Sequence, residues 1–261
     1  MILALVGAGK MGAAVLTGAL QAGVVKANEV GIYHPDPARR TQLSETHGVT
    51  CLDDEGVHRA ARVLIAVKPQ SFPEVAPLIA QRTASYISLM AGVPAETVAR
   101  LVGSRRVVRT MPNLGARVGM STTALAHLSE ASDDDVTFAE SLFAAVGTVH
   151  HVPERLFDAF TGLVGSGPAF AAVVAEALAD GGVRVGFPRT LARELTREVL
   201  LTTAHLLADE EPARIKDEVA SAGGTAIAGI KALELHGLRF ALMDAVEQAA
   251  RRAAELRREE A

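Results

Sequence analysis

The glycines of residues 7–12, GAGKMG, place the strongest constraint on what this chain can fold into. They follow the apolar run ILALV and lead into MGAAVLTGALQAG, which has helical spacing, so they occupy a strand-to-helix turn. There the first glycine permits a tight bend, the second lets a pyrophosphate approach the backbone, and the third lets helix and strand pack closely. Unpaired N–H groups at the helix N-terminus can then bind phosphate. The pattern predicts a dinucleotide site built from Gly7, Ala8, Gly9, Lys10, Met11 and Gly12.

The chain alternates between strand-like and helix-like segments up to about residue 150. The short aliphatic runs are ILALVG, EVGIY, RVLIAV, YISLM and RVVRTM, and each is followed by a segment with helical spacing. This alternation is typical of a parallel sheet covered by helices. Two further strands are predicted at 118–126 and 147–152, and they would close an N-terminal α/β domain of residues 1–152.

Strand signals end after Pro153, and the remaining sequence predicts helices at 154–164, 169–181, 191–208, 225–236 and 238–258. The segment 169–179, AFAAVVAEALA, is apolar on nearly all sides, which predicts a helix that is buried all round. We therefore predict a second, all-helical domain of residues 153–261.

Composition excludes several classes of function. A net charge of −4 gives no electrostatic footprint for nucleic acid or a membrane surface. The single cysteine, Cys51, excludes a disulfide framework and a thiolate metal cluster. No basic segment precedes the first apolar run, as a signal peptide would require, and the longest apolar stretch is short for a membrane span. We expect a cytoplasmic protein with no metal site.

The end of the second strand, near Tyr33, is where a dinucleotide-binding sheet distinguishes NAD from NADP. An acidic residue about 20 positions after the glycines would bind the ribose 2′-hydroxyl, but Tyr33 and His34 stand there. Arg39 and Arg40 follow and could face a 2′-phosphate, or lie on a solvated helix face, and Asp36 precedes them. The sequence favours NADP, with NAD left open, and includes His34 and Arg39 in the cofactor site.

Two later strand ends extend this site. AVKPQ follows RVLIAV, and RTMPN ends a later strand, and such carboxyl ends line the ligand crevice of a doubly wound sheet. Asn113 is a candidate for binding a carboxamide, and Lys68 is either a wall of the crevice or an exposed loop lysine. The predicted cofactor contacts are Ala66, Val67, Lys68, Pro69, Met111 and Asn113.

Two glycine-containing turns in the second half could bind a small anion. In EVASAGGTAIAGIKALE, two glycines precede a helical segment, so bare N–H groups and the positive end of the helix dipole would face a ligand. GSGPAF has a similar arrangement before Pro168, which suits a first helical turn. Ordinary capping and close helix packing are the alternative. The predicted substrate-binding residues are Gly165, Ser166, Ser221, Gly223, Gly224 and Thr225, with Thr225 and Ser166 as candidate catalytic hydroxyls.

Read in order, GAGKMG, AVKPQ, RTMPN, GSGPAF and KDEVASAGGTAIAGIKALE resemble the pyrroline-5-carboxylate reductases nearly end to end. The resemblance implies an N-terminal Rossmann doubly wound sheet followed by an all-helical C-terminal dimerisation domain. It also implies reduction of the cyclic imine pyrroline-5-carboxylate to L-proline with NAD(P)H, the last step of proline synthesis. The implied assembly is an intertwined homodimer or a higher homo-oligomer.

Two positions depart from the family's pattern. Leu114, Gly115 and Ala116 follow Met-Pro-Asn, where Thr-Pro-Ala is usual. In the C-terminal signature, the threonine that the family places near the imine aligns with Ala226, and the hydroxyl of Thr225 stands one residue earlier. This departure bears on the hydrogen bond to the substrate nitrogen and not on cofactor binding.

Three alternatives remain beside this interpretation. A β-hydroxyacid dehydrogenase would carry a lysine on the helix after GSG, where Ala171 stands, and the helix to Ala179 has no lysine to act as a base. A reductase of another cyclic imine carboxylate would also fit the Ala226 departure. A non-catalytic NADP-binding regulator would keep the glycine pattern without the reaction.

Overall fold

The structure, a computed structural model, describes residues 1–7 and 9–259, and in them one eight-stranded sheet precedes a series of helices. The strand order is β3-β2-β1-β4-β5-β6-β7-β8; β1 to β6 are parallel, β7 is antiparallel to β6, and β8 is parallel to β7. The predicted doubly wound sheet is confirmed. The strands are β1 (Leu3–Val6), β2 (Val30–Tyr33), β3 (Thr50–Cys51), β4 (Arg62–Ile65), β5 (Ser85–Ser88), β6 (Val107–Met111), β7 (Ser121–His127) and β8 (Gly147–His151).

Helices connect the strands and then continue alone. Those among the strands are α1 (Lys10–Gln21), α2 (Pro37–His47), α3 (Asp54–Val57), α4 (Phe72–Ile79), α5 (Ala95–Val102) and α6 (Asp133–Ala144). After the sheet come α7 (Phe157–Phe160), α8 (Gly167–Arg184), α9 (Arg189–Leu206), α10 (Pro212–Val219), α11 (Thr225–Leu235) and α12 (Leu238–Glu259). Short 3-10 turns lie at Ala27–Glu29, Pro69–Ser71, Leu114–Val118 and Glu154–Leu156, and a π-helical turn lies at Thr161–Gly165.

Both faces of the sheet are buried, which explains the continuous aliphatic runs. In β1, Ala4 and Val6 belong to one core cluster while Leu3 and Leu5 belong to the other. Successive side chains of a strand point to opposite faces, so a strand covered on both sides must be apolar throughout. The segments that follow the strands supply the helices that cover them.

The strand order locates the ligand crevice. β1 lies between β2 and β4, so the chain leaves β1 to one side and later returns to pair on its other side. In an open parallel sheet, ligands bind beyond the carboxyl ends of the strands at such a switch point. The loops that follow β1, β2 and β4 are therefore the ones that matter for a nucleotide.

A buried carboxylate on α6, Asp135, pairs with arginines at the amino ends of β4 and β6. Asp135 is fully buried, and its two oxygens accept hydrogen bonds from Nε and Nη2 of Arg106 at 2.9 and 2.8 Å. Burial by itself raises the pKa of Asp135, but the hydrogen bonds from Arg106 and Ser132 outweigh it, and the pKa lies below the ordinary aspartate value. Arg62, which also pairs with Asp134, stacks on the Phe138 ring at 4.4 Å.

The chain divides into two compact units, one of residues 1–165 with the chain end from Ala249, and one of Ser166–Gln248. The predicted boundary at residue 152 coincides with the end of β8 at His151, whereas the compact units divide after Gly165. The difference arises because Glu154–Gly165 and the end of α12 pack on the sheet unit: Arg109 binds Glu154 at 2.9 Å, and Arg257 pairs with Asp158 at 3.0 Å.

Within the second unit, α8 and α9 form an antiparallel pair with a tight contact. A Cβ built on Gly182 would lie 3.2 Å from the Cβ of Ala192, so a small residue is needed there. Both helices also expose apolar side chains: Val173 is 65% exposed and Val199 57% exposed. The expectation that 169–179 is buried all round is wrong for the single chain, in which Ala179 is the buried residue of α8.

The helical stretch Glu154–Arg184 has the length and composition of a membrane span, although little of it is buried in the chain.

Some helices and strands begin or end at residues different from those that the sequence predicts. The helix expected at 154–164 is divided into a 3-10 turn, α7 and the π-helical turn, and the strand expected from 118 begins at Ser121. The short β3 and α10 were not predicted, because segments of two and eight residues contain too few apolar positions to establish a period.

Candidate functional site

The turn after β1 has the geometry of a phosphate cradle. Gly7 has φ +78°, and a Cβ there would lie 2.6 Å from Cγ1 of Val67. A Cβ on Gly12 would lie 2.7 Å from the Cβ of Ala66, so α1 passes too close to β4 for any side chain. Gly9 differs, because a Cβ there would meet nothing within 4 Å. Gly7 and Gly12 therefore allow the close approaches of this turn, and Gly9 leaves open space beside it.

That open space lies against the N-terminus of α1. Gly9 is the N-cap with extended backbone (φ −68°, ψ 179°), and neither a capping side chain nor an acidic residue in the first turn occupies the helix end. The first N–H groups of α1 are thereby left for an anion, and exposed Lys10 adds a positive charge. Met11 packs partly into the core. Ala8, also predicted here, lies outside the described residues. The cradle fits a dinucleotide pyrophosphate.

The loop after β4 forms the neighbouring wall. Ala66 and Val67 make the close approaches to Gly12 and Gly7, so these two predicted residues shape the cradle. Lys68 is exposed and precedes the 3-10 turn that begins at Pro69, where the fixed proline ring suits a first helical position. The structure thus brings the loops after β1 and β4 together, as the strand order requires.

The loop after β2 carries both signs of charge. Tyr33, the last residue of β2, donates its hydroxyl to Oδ1 of Asp54 at 2.7 Å, and Arg40 lies over the Tyr33 ring at 5.6 Å. Burial, together with the hydrogen bond to Asp54, raises the pKa of Tyr33 to about 12. Nδ1 of His34 accepts the N–H of Asp36 at 3.1 Å, and Nη1 of Arg39 donates to Gln42 at 2.7 Å. The sequence pattern did not predict the Tyr33–Asp54 bond, which joins residues 21 positions apart.

The loop after β6 is fixed by Asn113. Its Oδ1 accepts the N–H groups of Gly115 and Thr122 at 3.1 and 3.2 Å, and its Nδ2 donates to the carbonyl of Val164 at 3.2 Å. The side chain therefore joins its own loop to the π-helical turn. Such turns often occur at functional sites. Only the run TGLVG marks the position of this turn in the sequence.

Met111 lies against the same turn. Its Cε is 3.6 Å from the position of a Cβ on Gly165, which ends the π-helical turn. Gly165 belongs to the first compact unit and Ser166 to the second, where Ser166 immediately precedes α8 and Pro168 occupies its first turn. Of the GSGPAF residues, the structure therefore places Gly165 beside a predicted cofactor residue.

The second unit contains the paired-glycine turn. Gly223 has φ +69°, a conformation that favours glycine, and Gly224 is the N-cap of α11 with no capping side chain. A Cβ on Gly224 would lie 2.3 Å from Oγ of Ser221, whose carbonyl accepts the Gly224 N–H at 3.0 Å. Thr225 is the first residue of α11. Ser221, Gly223, Gly224 and Thr225 thus share one turn that presents a bare helix N-terminus.

Residues 1–7 and 9–259 contain no group of three or more His, Cys, Asp or Glu that could hold a metal ion. The candidate residues of each unit offer backbone N–H groups, hydroxyls and a few cations instead. Such a set can bind phosphate and carboxylate and can orient a bound molecule, whereas redox chemistry would come from a cofactor.

Comparison with known proteins gives a consistent result over the whole chain. Residues 154–256 match a family described as pyrroline-5-carboxylate reductase dimerisation, and residues 2–92 match one described as NADP oxidoreductase, coenzyme F420-dependent. Pyrroline-5-carboxylate reductase of Thermus thermophilus is 51% identical over 257 residues, which cover 98% of each chain.

Solved structures show the same similarity. The 1-pyrroline-5-carboxylate reductase of Streptococcus pyogenes aligns over 98% of each chain, with 28% identity and a TM-score of 0.88. The pyrroline carboxylate reductase of Plasmodium falciparum, solved with NADP bound, aligns over 98% of each chain with 24% identity and a TM-score of 0.87. The two proteins therefore share a fold.

Proposed function

The chain belongs to the pyrroline-5-carboxylate reductase family, and we propose that it reduces 1-pyrroline-5-carboxylate to L-proline with NAD(P)H, the last step of proline biosynthesis. The observation that carries the proposal is the end-to-end similarity to reductases of this name, which spans both the sheet and the helical segment. The glycine cradle after β1 supports the cofactor, and the bare N-terminus of α11 supports an anionic substrate.

We propose NADPH as the cofactor, with NADH as a second one. Gly7, Gly9 and Gly12 with the N-terminus of α1 would hold the pyrophosphate, and Lys10 would add charge. Val67, Lys68 and Pro69 would form the wall after β4. Arg39 would face the 2′-phosphate, and Met111 and Asn113 would lie at the nicotinamide end. When bound, the reduced nicotinamide supplies the hydride.

The chain's own groups would bind and orient the imine. The N–H groups at the start of α11 would bind its carboxylate, since Gly223 and Gly224 leave the approach to the backbone open. Thr225 and Ser166 are the proposed hydroxyl contacts to the carboxylate or the ring nitrogen. Orientation of this kind accounts for several kcal/mol of barrier lowering. Water would supply the proton, because no histidine or aspartate lies in the Ser221–Thr225 turn.

We propose that the working form is a homodimer or a higher homo-oligomer in the cytoplasm, with a nucleotide-binding domain of residues 1–152 and a substrate-binding, dimerising domain of 153–261. The match of 154–256 to a dimerisation family supports this, as does the exposed apolar surface of α8 and α9. Burial of that surface by a second copy also accounts for the apolar stretch Glu154–Arg184 without a membrane.

Incubation of the purified protein with NADPH and pyrroline-5-carboxylate tests the proposal, with loss of the reduced-nicotinamide absorbance followed and the product identified by chiral chromatography. We expect NADPH oxidation that depends on the imine and yields L-proline. Tight NADPH binding without oxidation at high enzyme concentration would contradict a catalytic function and favour a regulator. Faster oxidation with a six-membered cyclic imine carboxylate would contradict the five-membered substrate.

A further inference from the structure

The interior strand β6 contains one charged side chain, at a position where a sheet covered on both faces would usually have an apolar one. β6 pairs with β5 on one side and with β7 on the other, and its residues Val107, Val108 and Thr110 are fully buried. Arg109 stands among them and is only 3% exposed. A buried charge is costly unless it is paired and hydrogen-bonded, so packing alone does not explain an arginine here.

The guanidinium of Arg109 contacts the residues that follow the sheet, which we call the post-sheet segment (residues 154–165). Its Nη1 donates to Oε1 of Glu154 at 2.9 Å, and the group lies over the Phe157 ring at 4.5 Å. The same Oε1 accepts the N–H of Ala95, at the start of α5, at 2.8 Å. Burial lowers the pKa of Arg109, and the hydrogen bond to Glu154 opposes that shift. Arg109 thus binds one acid and one ring of the post-sheet segment.

The far end of the post-sheet segment meets the residues that follow Arg109 in the chain. Arg109 and Met111 are two residues apart in β6, so their side chains leave the same face of the sheet. Cε of Met111 lies 3.6 Å from the position of a Cβ on Gly165, and Nδ2 of Asn113 donates to the carbonyl of Val164 at 3.2 Å. The end of β6 and its loop therefore contact the post-sheet segment at its beginning, through Arg109, and at the π-helical turn that ends it.

The second carboxylate of the post-sheet segment is bound from the chain end. Asp158, one helical turn after Glu154, pairs with Arg257 of α12 at 3.0 Å. The Arg257 side chain is 43% exposed, and such partly solvated pairs contribute little to stability. Arg109 is therefore the buried ionic contact that holds the post-sheet segment on the sheet.

We propose that Arg109 is a positioning residue for the reaction: by holding the post-sheet segment on β6, it keeps the π-helical turn where Asn113 binds it and Met111 contacts it. The inference rests on the proposed function, which assigns Met111 and Asn113 to the nicotinamide end of the cofactor site. Loss of the Arg109 contacts displaces this turn without removing a group that binds a ligand. It therefore lowers the rate of the reaction, which depends on orientation, more than the affinity for either reactant.

The test compares Arg109→Lys with Arg62→Lys. Lysine keeps the charge but lacks the planar group that stacks on a ring while it donates to a carboxylate. Arg62 is the matched control, because it is largely buried, lies over the Phe138 ring at 4.4 Å and pairs with Asp135, but stands at the amino end of β4. The measurements are kcat and KM for the imine, the Kd of NADPH, the melting temperature, and amide hydrogen exchange of residues 157–165 in the chain without ligand.

We expect Arg109→Lys to lower kcat by about tenfold, while the KM of the imine and the Kd of NADPH change by less than about threefold. Amides of residues 157–165 should exchange faster, because the post-sheet segment opens more often. Arg62→Lys should lower the melting temperature without either change. If Arg109→Lys does not fold, Glu154→Gln replaces it: it keeps an acceptor for Arg109 and Ala95, and it should change kcat and the exchange in the same direction to a smaller extent.

An unchanged kcat or an unchanged exchange rate in Arg109→Lys would overturn the inference and leave the proposed function intact. Equal changes in Arg62→Lys would also overturn it, since they would arise from lost stability alone. A wild-type chain that oxidises no NADPH in the presence of the imine would contradict the proposed function and, with it, this inference.

Discussion

At the residue scale, the two glycines before α11 have different reasons for lacking a side chain. Gly223 adopts φ +69°, so the backbone itself favours glycine, whereas Gly224 has extended φ and is limited by Oγ of Ser221, 2.3 Å from where its Cβ would lie. The sequence suggested that both glycines leave room for a substrate anion. The structure adds an internal reason, because a side chain at 224 would first displace Ser221. Mutation of Thr225, which follows the two glycines, can test the role of its hydroxyl separately from theirs.

Removal of the Thr225 hydroxyl tests whether it contacts the substrate. We expect Thr225→Ala to lower kcat/KM for the imine by about tenfold, the value of one hydrogen bond to a charged group. The Kd of NADPH should not change. Thr225→Ser restores a hydroxyl and should recover most of the activity. If steady-state kinetics show an unchanged rate for Thr225→Ala, the Thr225 hydroxyl does not contact the substrate.

Asn113 acts, in this account, by positioning its loop. We expect Asn113→Asp to lower kcat by about tenfold, because it loses the donor to the Val164 carbonyl while keeping the acceptor for Gly115 and Thr122. The Kd of NADPH should change less than kcat. Thr148→Val, which loses one hydrogen bond to the Ser121 carbonyl in the same region, is the control. If both variants lower kcat alike, or if only the melting temperature falls, Asn113 has no positioning role.

At the scale of elements, much of the sheet was predictable and most of the fine structure was not. The aliphatic runs predicted β1, β2, β4, β5 and β6 because a strand covered on both faces must be apolar throughout. The glycine pattern predicted the cradle because sterics alone dictate Gly7 and Gly12. The π-helical turn and the hydrogen bonds of Asn113 were not predictable, since their partners are distant in sequence: Asn113 and Val164 are 51 residues apart.

The attachment of α6 through Asp135 gives a prediction with a pH dependence. The pKa of Asp135 in the folded chain lies below its ordinary value, so the charged group stabilises the fold above the unfolded pKa of about 3.9. That stabilisation is lost as the pH falls through the folded pKa. Asp135→Asn should therefore reduce the free energy of unfolding at neutral pH by about 2 kcal/mol, allowing for the partly exposed Arg106.

Urea unfolding followed by circular dichroism at several pH values would measure this difference. The gap between the wild type and Asp135→Asn should be widest at neutral pH and should narrow below about pH 4. Asp133→Asn changes an exposed aspartate in the same first turn of α6 and should have little effect at any pH. A gap that stays constant down to acid pH would contradict an electrostatic role for Asp135.

At the scale of the whole molecule, the helical unit has more exposed apolar surface than a solitary chain would be expected to keep. Val173, Val199 and Leu201 are each more than half exposed on α8 and α9. Several exposed apolar side chains on two neighbouring helices are typical of an interface. The sequence predicted an apolar helix at 169–179 that is buried all round, and a helix too apolar to face water indicated a dimer, with packing inside a monomer as the alternative. The single chain leaves that surface uncovered.

We expect light scattering of the purified chain to show a dimer or a larger assembly. Val199→Glu, alone or combined with Val173→Glu, should shift the chain towards monomer, because a buried unpaired carboxylate opposes association. Leu78→Glu, on the partly exposed surface of α4 in the sheet unit, should leave the assembly unchanged. A wild-type monomer at micromolar concentration would contradict the proposed homo-oligomer.

The proposed reaction requires that the chain bind a reduced nicotinamide and an imine carboxylate so that hydride passes directly to the imine carbon. The most direct measurement uses NADPH deuterated at both C4 positions, with pyrroline-5-carboxylate as substrate and mass spectrometry of the product. We expect L-proline carrying one deuterium on the former imine carbon, with none acquired there when unlabelled NADPH is used in heavy water. Proline without the label, or no proline at all while NADPH stays bound and intact, would contradict it.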